Sequence, residues 1–329
     1  MISNMLQVFV FDVGNGSCAY LADSSGHNMM IDCGRDDKTN YSPALNIAQC
    51  LLPKTGDCMT SHPLTSLVIT HPHRDHISDL PTVLQHLRPY QVTFRYISEF
   101  SQESIDDPTD PPLAFHREIL DRVYIHPVVH QPIWHMRYQI FALTPAEARL
   151  ADPQRELNNA SQVVLVEYAG RRILFGGDME EAGWIQLLLK EDFRLAISRG
   201  VDVFVASHHG HRSGFCDFLY QFMGRPLLHV ASLDRGNEHL HPAYATPVLS
   251  RGFPANWWHH QHNIYFQESR YLLTTRTDGH VKLVINPTGS MSVFLGHREA
   301  ILLDQAPVVP RVPTLAEIRS SALPISNRF

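Results

Sequence analysis

No run in this chain approaches the ~20 consecutive apolar residues that a membrane-crossing helix requires, although 44% of its 329 residues are hydrophobic. The amino terminus, MISNMLQVFVFDVGNG, has no basic segment ahead of a long apolar stretch and no small-residue cleavage site. It reads as a first strand and not as a secretory signal. A cytoplasmic protein with no membrane partner is the expectation. Cysteine is scarce: Cys18, Cys33, Cys50, Cys58 and Cys216 are scattered and never spaced as CxxC. That pattern excludes a disulfide framework or a structural zinc knuckle and predicts buried or idle thiols. Basic charge is lacking too. The 27 Lys and Arg against 33 Asp and Glu leave a net charge of −6, which excludes the broad basic surface of a tight non-specific duplex binder. A local basic groove, or bound metals, could still hold phosphates.

Apolar and β-branched runs are abundant. QVFVFDVG, SCAYLAD and NMMIDCG read as three short strands separated by Gly-containing turns. DKTNYSPALNIAQCLLPK carries Leu45, Ile47, Ala48, Leu51 and Leu52 at helical spacing. SLVIT is a buried strand. SDLPTVLQHL is a helix capped by Ser78 or Asp79, with Pro81 in its first turn and Leu80, Val83, Leu84 and Leu87 on one face. YQVTFRYIS reads as a strand, SQESIDDPTDPP as a polar loop and LAFHREILDRVY as a helix. Downstream, MRYQIFALTP, SQVVLVEYAG and RRILFGGD are strands, the last two joined by Gly170. EEAGWIQLLLKEDF is an acidic-started helix, VDVFVAS a strand, DFLYQFM a short helix and PLLHVASL a strand. AYATPVLSRGF reads as a helix, and YLLTTRTDG with HVKLVI as a closing hairpin. Two β-rich halves with outer helices predict an α/β protein, a four-layer αββα sandwich. It is expected to span residues 1–300, with residues 301–329 as a Pro-containing extended tail able to contact a partner protein or a second copy.

Histidine is plentiful, with 21 residues. His259, His260 and His262, and likewise His126, His130 and His135, fit no ligand spacing and read as surface or packing residues. His71-Pro72-His73-Arg74-Asp75-His76 is different. It leaves the SLVIT strand and enters a helix within a few residues, and loops at strand ends are where sites are commonly built. Three imidazoles and a carboxylate in that space suit zinc, and the aspartate also tolerates manganese. His71 and His73 alternate and point to one side; Asp75 and His76 follow on the other side of the turn. One loop could therefore serve two ions. Two ions also need a bridging carboxylate and further donors. RRILFGGD puts Asp178 at a strand end, and VDVFVAS leads into His208-His209-Gly210.

THPHRDH, FGGDME and SHHGHRS, with FDVGNGS, IDCG, NNAS and NEHLHP, resemble the motifs of the metallo-β-lactamase fold superfamily. The closer likeness is to the hydrolase domain of ComEC-type DNA-uptake proteins and their soluble stand-alone relatives. It covers about residues 7–295. The resemblance implies that His71 and His73 hold one divalent ion and Asp75 and His76 the other. Asp178 would bridge them, and His208, with His209 the alternative, would complete the set. It puts Asn158 or Asn159 where many relatives carry a third histidine, so the His71/His73 ion is expected to be the looser one. His241 resembles a late histidine that faces a scissile phosphate. His209, Ser213 and Asn159 are expected to contact substrate. The family's DVGxGD ends here in Ser17, its HHGS serine is replaced by His211, and HxGG becomes Ile77-Ser78-Asp79.

The expected activity is that of a phosphodiesterase or nuclease using a hydroxide that bridges two metals, zinc first and manganese second. Asp75 would orient the nucleophile, and His241 would serve as acid to the leaving group. A phosphodiester, in a nucleic acid or a nucleotide, is the expected substrate. Arg74, Arg212 and Arg235 read equally as phosphate contacts and as solvated arginines. Two other readings stay open at this point: a carbon-ester, thioester or lactam hydrolase using the same metals, and a non-catalytic metal-stabilised interaction module.

Overall fold

A computed structural model describes residues 5–51, 64–94, 136–234, 239–259 and 264–296. The helix expected over LAFHREILDRVY, the tail over 301–329, and Cys58, Arg235, His126, His130, His135, His260 and His262 lie outside the described residues. Among the described residues, two sheets stack face to face. The first has nine strands, in spatial order Ile264–Arg270, Phe253–His259, Met291–Gly296, His280–Ile285, Leu6–Val10, Ala19–Asp23, Asn28–Ile31, Ser66–Val68 and Gln91–Thr93. The second has six: Leu272–Thr274, Leu228–Ala231, Val203–Val205, Arg171–Phe175, Val163–Tyr168 and Arg137–Phe141.

Period-two alternation sorts the strand residues into layers. Leu6, Val8 and Val10 turn inward and meet Val164, Val166, Phe175 and Val230 between the sheets. Phe9 and Phe11 turn outward, onto Leu67, Ile69, Leu80, Val83 and Leu87. On the far side Val163, Leu165, Leu174 and Phe204 pack beneath Trp184, Phe193 and Leu219. Three apolar seams between four layers are the expected αββα sandwich. Among the described residues no helix is long and apolar enough to cross a membrane.

Parallel pairing decides where a site can form. Asn28–Ile31, Ser66–Val68 and Gln91–Thr93 run parallel in the first sheet. Arg171–Phe175, Val203–Val205 and Leu228–Ala231 run parallel in the second. Loops that leave the carboxyl ends of parallel strands gather at one rim, where open α/β sheets bind ligands. The rims are joined: Gln162 donates from its backbone to the Thr70 carbonyl at 2.9 Å and from Nε2 to the Ile69 carbonyl at 2.7 Å. Ser232 Oγ donates to the Gly16 carbonyl at 2.6 Å.

Several sequence expectations are corrected. EEAGWIQLLLKEDF forms two helices, Glu181–Leu187 and Glu191–Ser198. Lys190 interrupts them with an extended backbone, and its ammonium group is drawn to the Ala142 carbonyl at 3.1 Å and to Glu147 at 2.9 Å. AYATPVLSRGF makes only a tight turn over Pro242–Ala245, because Thr246 precedes Pro247 and is extended (φ −106°, ψ 151°). The expected closing hairpin is divided between the sheets. Leu272–Thr274 pairs in parallel with Leu228–Ala231, while His280–Ile285 pairs with Met291–Gly296 in the first sheet. Leu45 does not face the core but is 38% exposed. Asp79 sits at the N-cap position without capping; its carboxylate instead accepts from Ser42 Oγ at 2.7 Å and the Ala44 amide at 3.0 Å. Cys18, Cys33 and Cys216 are free and buried, and burial pushes all three thiols up, away from reactivity.

His229 lies on the outer face of the second sheet, edge-on to Phe204, Tyr220 and Tyr244. Its Nδ1 donates to the Tyr244 carbonyl at 3.0 Å and its Nε2 accepts from the Tyr220 hydroxyl at 2.9 Å, a neutral tautomer. Burial lowers its pKa to about 4, against ~6.5 for an unfolded histidine. The unfolded chain therefore takes the proton first as the pH falls. The stability this residue contributes is complete above pH ~6.5 and is lost down to pH ~4, a difference of about 3 kcal/mol. In urea unfolding from pH 7 to pH 4, His229→Gln is expected to lose about 3 kcal/mol less than the parent protein. Equal losses would refute the assignment.

Candidate metal centre

The first half of the site is built on Asp32. It follows the strand Asn28–Ile31 in a left-handed conformation (φ 58°), and it is 1% exposed. Its Oδ1 accepts from the Thr70 amide at 2.7 Å; its Oδ2 accepts from the Thr70 hydroxyl at 2.9 Å and from His76 Nδ1 at 2.7 Å. The His76 ring is thus fixed with Nε2 turned into the site. Backbone straps hold the rest of the loop. The Cys33 amide donates to the His76 carbonyl at 2.7 Å, the Ser17 amide to the Asp75 carbonyl at 3.0 Å, and the Gly34 amide to the Ser17 carbonyl at 2.8 Å. A Cβ on Gly34 would overlap the Asp75 carbonyl and the Ser17 backbone, so only glycine admits these straps. The motifs DVGNGS and IDCG are therefore the bed on which Asp75 and His76 lie.

The second half comes from the other sheet. Gly177 (φ 55°) turns the chain after Arg171–Phe175, where a Cβ would come within 2.9 Å of Ser161 Cβ and 3.0 Å of Thr70 Cβ. Asp178 follows, with its amide donating to Ser161 Oγ at 3.0 Å. After Val203–Val205, His208 (φ 50°) and His209 (φ 55°) are both left-handed, a rare pairing for residues with a Cβ. Asp178 Oδ1 lies 3.1 Å from His76 Nε2. Its Oδ2 lies 3.8 Å from His71 Nε2 and from His208 Nε2, and 3.6 Å from His209 Nε2. His209 Nε2 is also 3.2 Å from Asp75 Oδ2, and His71 Nε2 is 2.9 Å from His73 Nδ1.

Two donor groups share Asp178. One is Asp75, His76, Asp178 and His209; the other is His71, His73 and Asp178; in each the donor atoms lie within 4.8 Å of one another. The fit to a divalent cation rests on orphaned atoms. His76 Nε2, His209 Nε2 and Asp178 Oδ1 are buried and make no hydrogen bond, a costly condition that a shared cation relieves. The charges agree. Burial opposes charge on Asp178 and Asp75, but neighbouring His76 and His209 outweigh it and hold both carboxyl groups below the ordinary range. Burial opposes charge on His76 as well, yet Asp178, Asp32 and Asp75 raise its pKa, so a cation bound there would displace its proton. Burial, then His76 and His73, keeps His71 neutral, the form that binds metals.

The structure differs from the sequence expectations over several residues. His209, not His208, joins Asp75 and His76. Asn159 is fully buried behind the site, its Oδ1 accepting from the Glu180 amide at 3.1 Å; Asn158 lines the cleft in its place. Ser213 Oγ is engaged by His208 Nδ1 and His211 Nδ1, each at 2.9 Å. His241 stacks on Phe215 with ring centroids 3.8 Å apart and is not among the residues lining the cleft. Arg74 lines the cleft, whereas Arg212 is exposed away from it. Asp32 and Glu180 were not singled out from the sequence. The available signal for Asp32 was a carboxylate closing the apolar run NMMI; Glu180, one of two adjacent glutamates, carried none.

Asp32→Asn removes the charge that orients His76. Such an outer partner is worth about 10- to 100-fold in metal affinity, and zinc titration against a chromophoric chelator is expected to show a loss of that size. Unchanged affinity would mean that His76 holds no ion.

His73, Asp75 and Asp178 reach a cleft of about 490 Å³, walled by Val13–Gly16, Arg35–Lys38, Arg74, Arg155, Asn158, His208 and Asp234, among others. No curated protein matches the sequence. Solved structures similar to it include the metallo-beta-lactamase fold protein YhfI from Bacillus subtilis, 12% identical over 72% of this chain and 89% of that one, with a TM-score of 0.38. Zinc-bound PqqB from Methylobacterium extorquens is 12% identical over 61% and 69%, with a TM-score of 0.33. The metallo hydrolase Igni18 from Ignicoccus hospitalis is 13% identical over 69% and 82%, also at 0.33. The family model described as the beta-lactamase superfamily domain matches residues 27–211, from the strand that delivers Asp32 through the histidine loop and Asp178 to His208 and His209. That span is more than half of the chain, and the protein belongs to this superfamily.

Proposed function

We propose that the protein is a dinuclear metal-dependent phosphodiesterase, acting on a phosphodiester of a nucleic acid or nucleotide, with zinc as the first choice of ion and manganese the second. The observation that carries this reading is the wall of the cleft. Arg35, Lys38, Arg74 and Arg155 border it, and Val13 is the one apolar side chain larger than a methyl group among its lining residues. An acyl chain or lactam ring would find few apolar side chains there, whereas a phosphate would find several cations. These cations are held by pairs that exchange cheaply. Arg74 lies 2.5 Å and Arg35 3.2 Å from Asp37, with Arg74 and Asp37 well exposed and Arg35 partly so, and Lys38 pairs with Asp234. Exposed pairs are worth ~1 kcal/mol or less, so a phosphate oxygen can displace the carboxylate and gain a charge-assisted hydrogen bond.

Divalent ions in such a site supply a nucleophilic water at neutral pH and charge to the developing oxyanion. His71, His73 and Asp178 would hold one, and Asp75, His76, His209 and Asp178 the other. Asp75 is partly exposed at the cleft floor and ionised, so its carboxylate can accept a hydrogen bond from the attacking water and fix its direction. Arg74 and Arg35 orient the diester above that floor. The motif likeness to ComEC-type hydrolase domains supports the same choice of bond.

Bis-p-nitrophenyl phosphate, a chromogenic lactam and a thioester should be run side by side with the zinc- or manganese-loaded protein. The diester is expected to turn over, and His73→Ala and Asp178→Ala to lose about a hundredfold or more while remaining folded by circular dichroism. Unchanged diester turnover in either variant, or preference for the lactam or thioester, would refute the proposal.

A further inference from the structure

The two donor groups are unequal. Among the described residues, Asp75, His76, Asp178 and His209 offer four donors, whereas His71, His73 and Asp178 offer three, where a closed protein site has four and a catalytic one leaves a position to water. His208 stands beside the three-donor group at its shared member, Asp178. Its Nε2 is as far from Asp178 Oδ2, 3.8 Å, as is His71 Nε2. It lines the large cleft with His73, Asp75 and Asp178, while His209 lines a separate small cavity with Asp32, Thr70 and Asp178.

The other ring nitrogen of His208 is already committed. Nδ1 lies 3.2 Å from Glu180 Oε1 and 2.9 Å from Ser213 Oγ. Glu180 is itself held: Asn158 Nδ2 donates to its Oε1 at 3.0 Å, and its amide donates to Asn159 Oδ1 at 3.1 Å. Asp32 holds His76 in the same way, at Nδ1, with Nε2 turned to Asp178. A carboxylate that takes the outer imidazole proton fixes the tautomer and leaves the inner lone pair for a cation. The left-handed backbone at both histidines separates their rings, whose centroids are 6.3 Å apart. His209 is sent toward His76 and Asp75, and His208 toward Asp178 and Glu180.

We infer that His208 is the fourth ligand of the His71/His73/Asp178 ion and that Glu180 positions it, so that the two adjacent histidines serve different ions. The asparagine pair then has a reason. Asn158 and Asn159 orient the glutamate that holds the imidazole, and neither supplies a nitrogen ligand of its own. This inference rests on the dinuclear reading proposed above.

Metal content after zinc loading and dialysis of the full-length chain tests it, together with the visible spectrum of the cobalt form. The parent is expected to retain two ions, and His208→Ala one, with loss of the corresponding cobalt band. His73→Ala/His208→Ala should retain the same single ion as either parent variant, whereas His208→Ala/His209→Ala should lose both. Glu180→Gln, which leaves the imidazole in place, should weaken one ion about 10- to 100-fold. Asn158→His in the His208→Ala background should restore the second ion. If the parent holds two ions and His208→Ala also holds two at parental affinity, the inference fails and the dinuclear reading stands. If the parent holds fewer than two, both fail.

Discussion

The carboxylate of Asp178 is the charge around which the site is arranged. Its side chain is 4% exposed, and an uncompensated carboxylate at that depth would cost several kcal/mol. Compensation comes from imidazoles on two other loops: His71 and His76 from the first sheet, His208 and His209 from the second. Neither sheet alone could satisfy it. The stacking of the two parallel strand sets, rim against rim, therefore has an electrostatic consequence as well as an apolar one. The apolar seam between the sheets sets their separation, and that separation sets the distances to Asp178.

Backbone that would be unfavourable elsewhere is concentrated at this rim. Asp32, His208 and His209 are left-handed without being glycine, each at a cost of order 1–3 kcal/mol. Gly34 and Gly177 stand where any side chain would collide with the neighbouring strand ends. The strain is held by hydrogen bonds that converge from four segments: 16–17, 32–34, 70–76 and 161–162. The result is a floor whose donor-bearing residues are placed by backbone geometry and whose rings are then fixed by carboxylates such as Asp32, as a pre-organised site requires.

Above that floor the cleft is lined mainly by polar side chains, and its Arg74–Asp37 pair is exposed on both sides. The wall can therefore change partners at little cost while the floor cannot. The contrast separates the metal-donor floor from the wall, to which the proposed function assigns phosphate binding by Arg35, Lys38, Arg74 and Arg155. Glu180 joins the two levels: it contacts His208 at the floor and lies 3.8 Å from Arg155 at the wall.

Much of this was legible in the sequence, and the reasons are local. Alternation in QVFVFDVG and SQVVLVEY is a property of neighbouring residues, and it identified the strands and the layers they feed. The density of donors in His71–His76, directly after a strand, needed no partner to be noticed. Where the reading departed from the structure, the deciding contact was distant. Lys190 ends a helix because Ala142 and Glu147 are beside it, and Leu272–Thr274 leaves its expected hairpin because Leu228–Ala231 offers a parallel edge. His241, placed near the substrate by its motif, stacks on Phe215 instead. The sequence by itself determined the kinds of donor and their position at strand ends, since both are short-range patterns. Only the tertiary structure decided which histidine meets which carboxylate, because that depends on two left-handed residues at 208–209 and on the packing of two sheets whose rims are far apart along the chain.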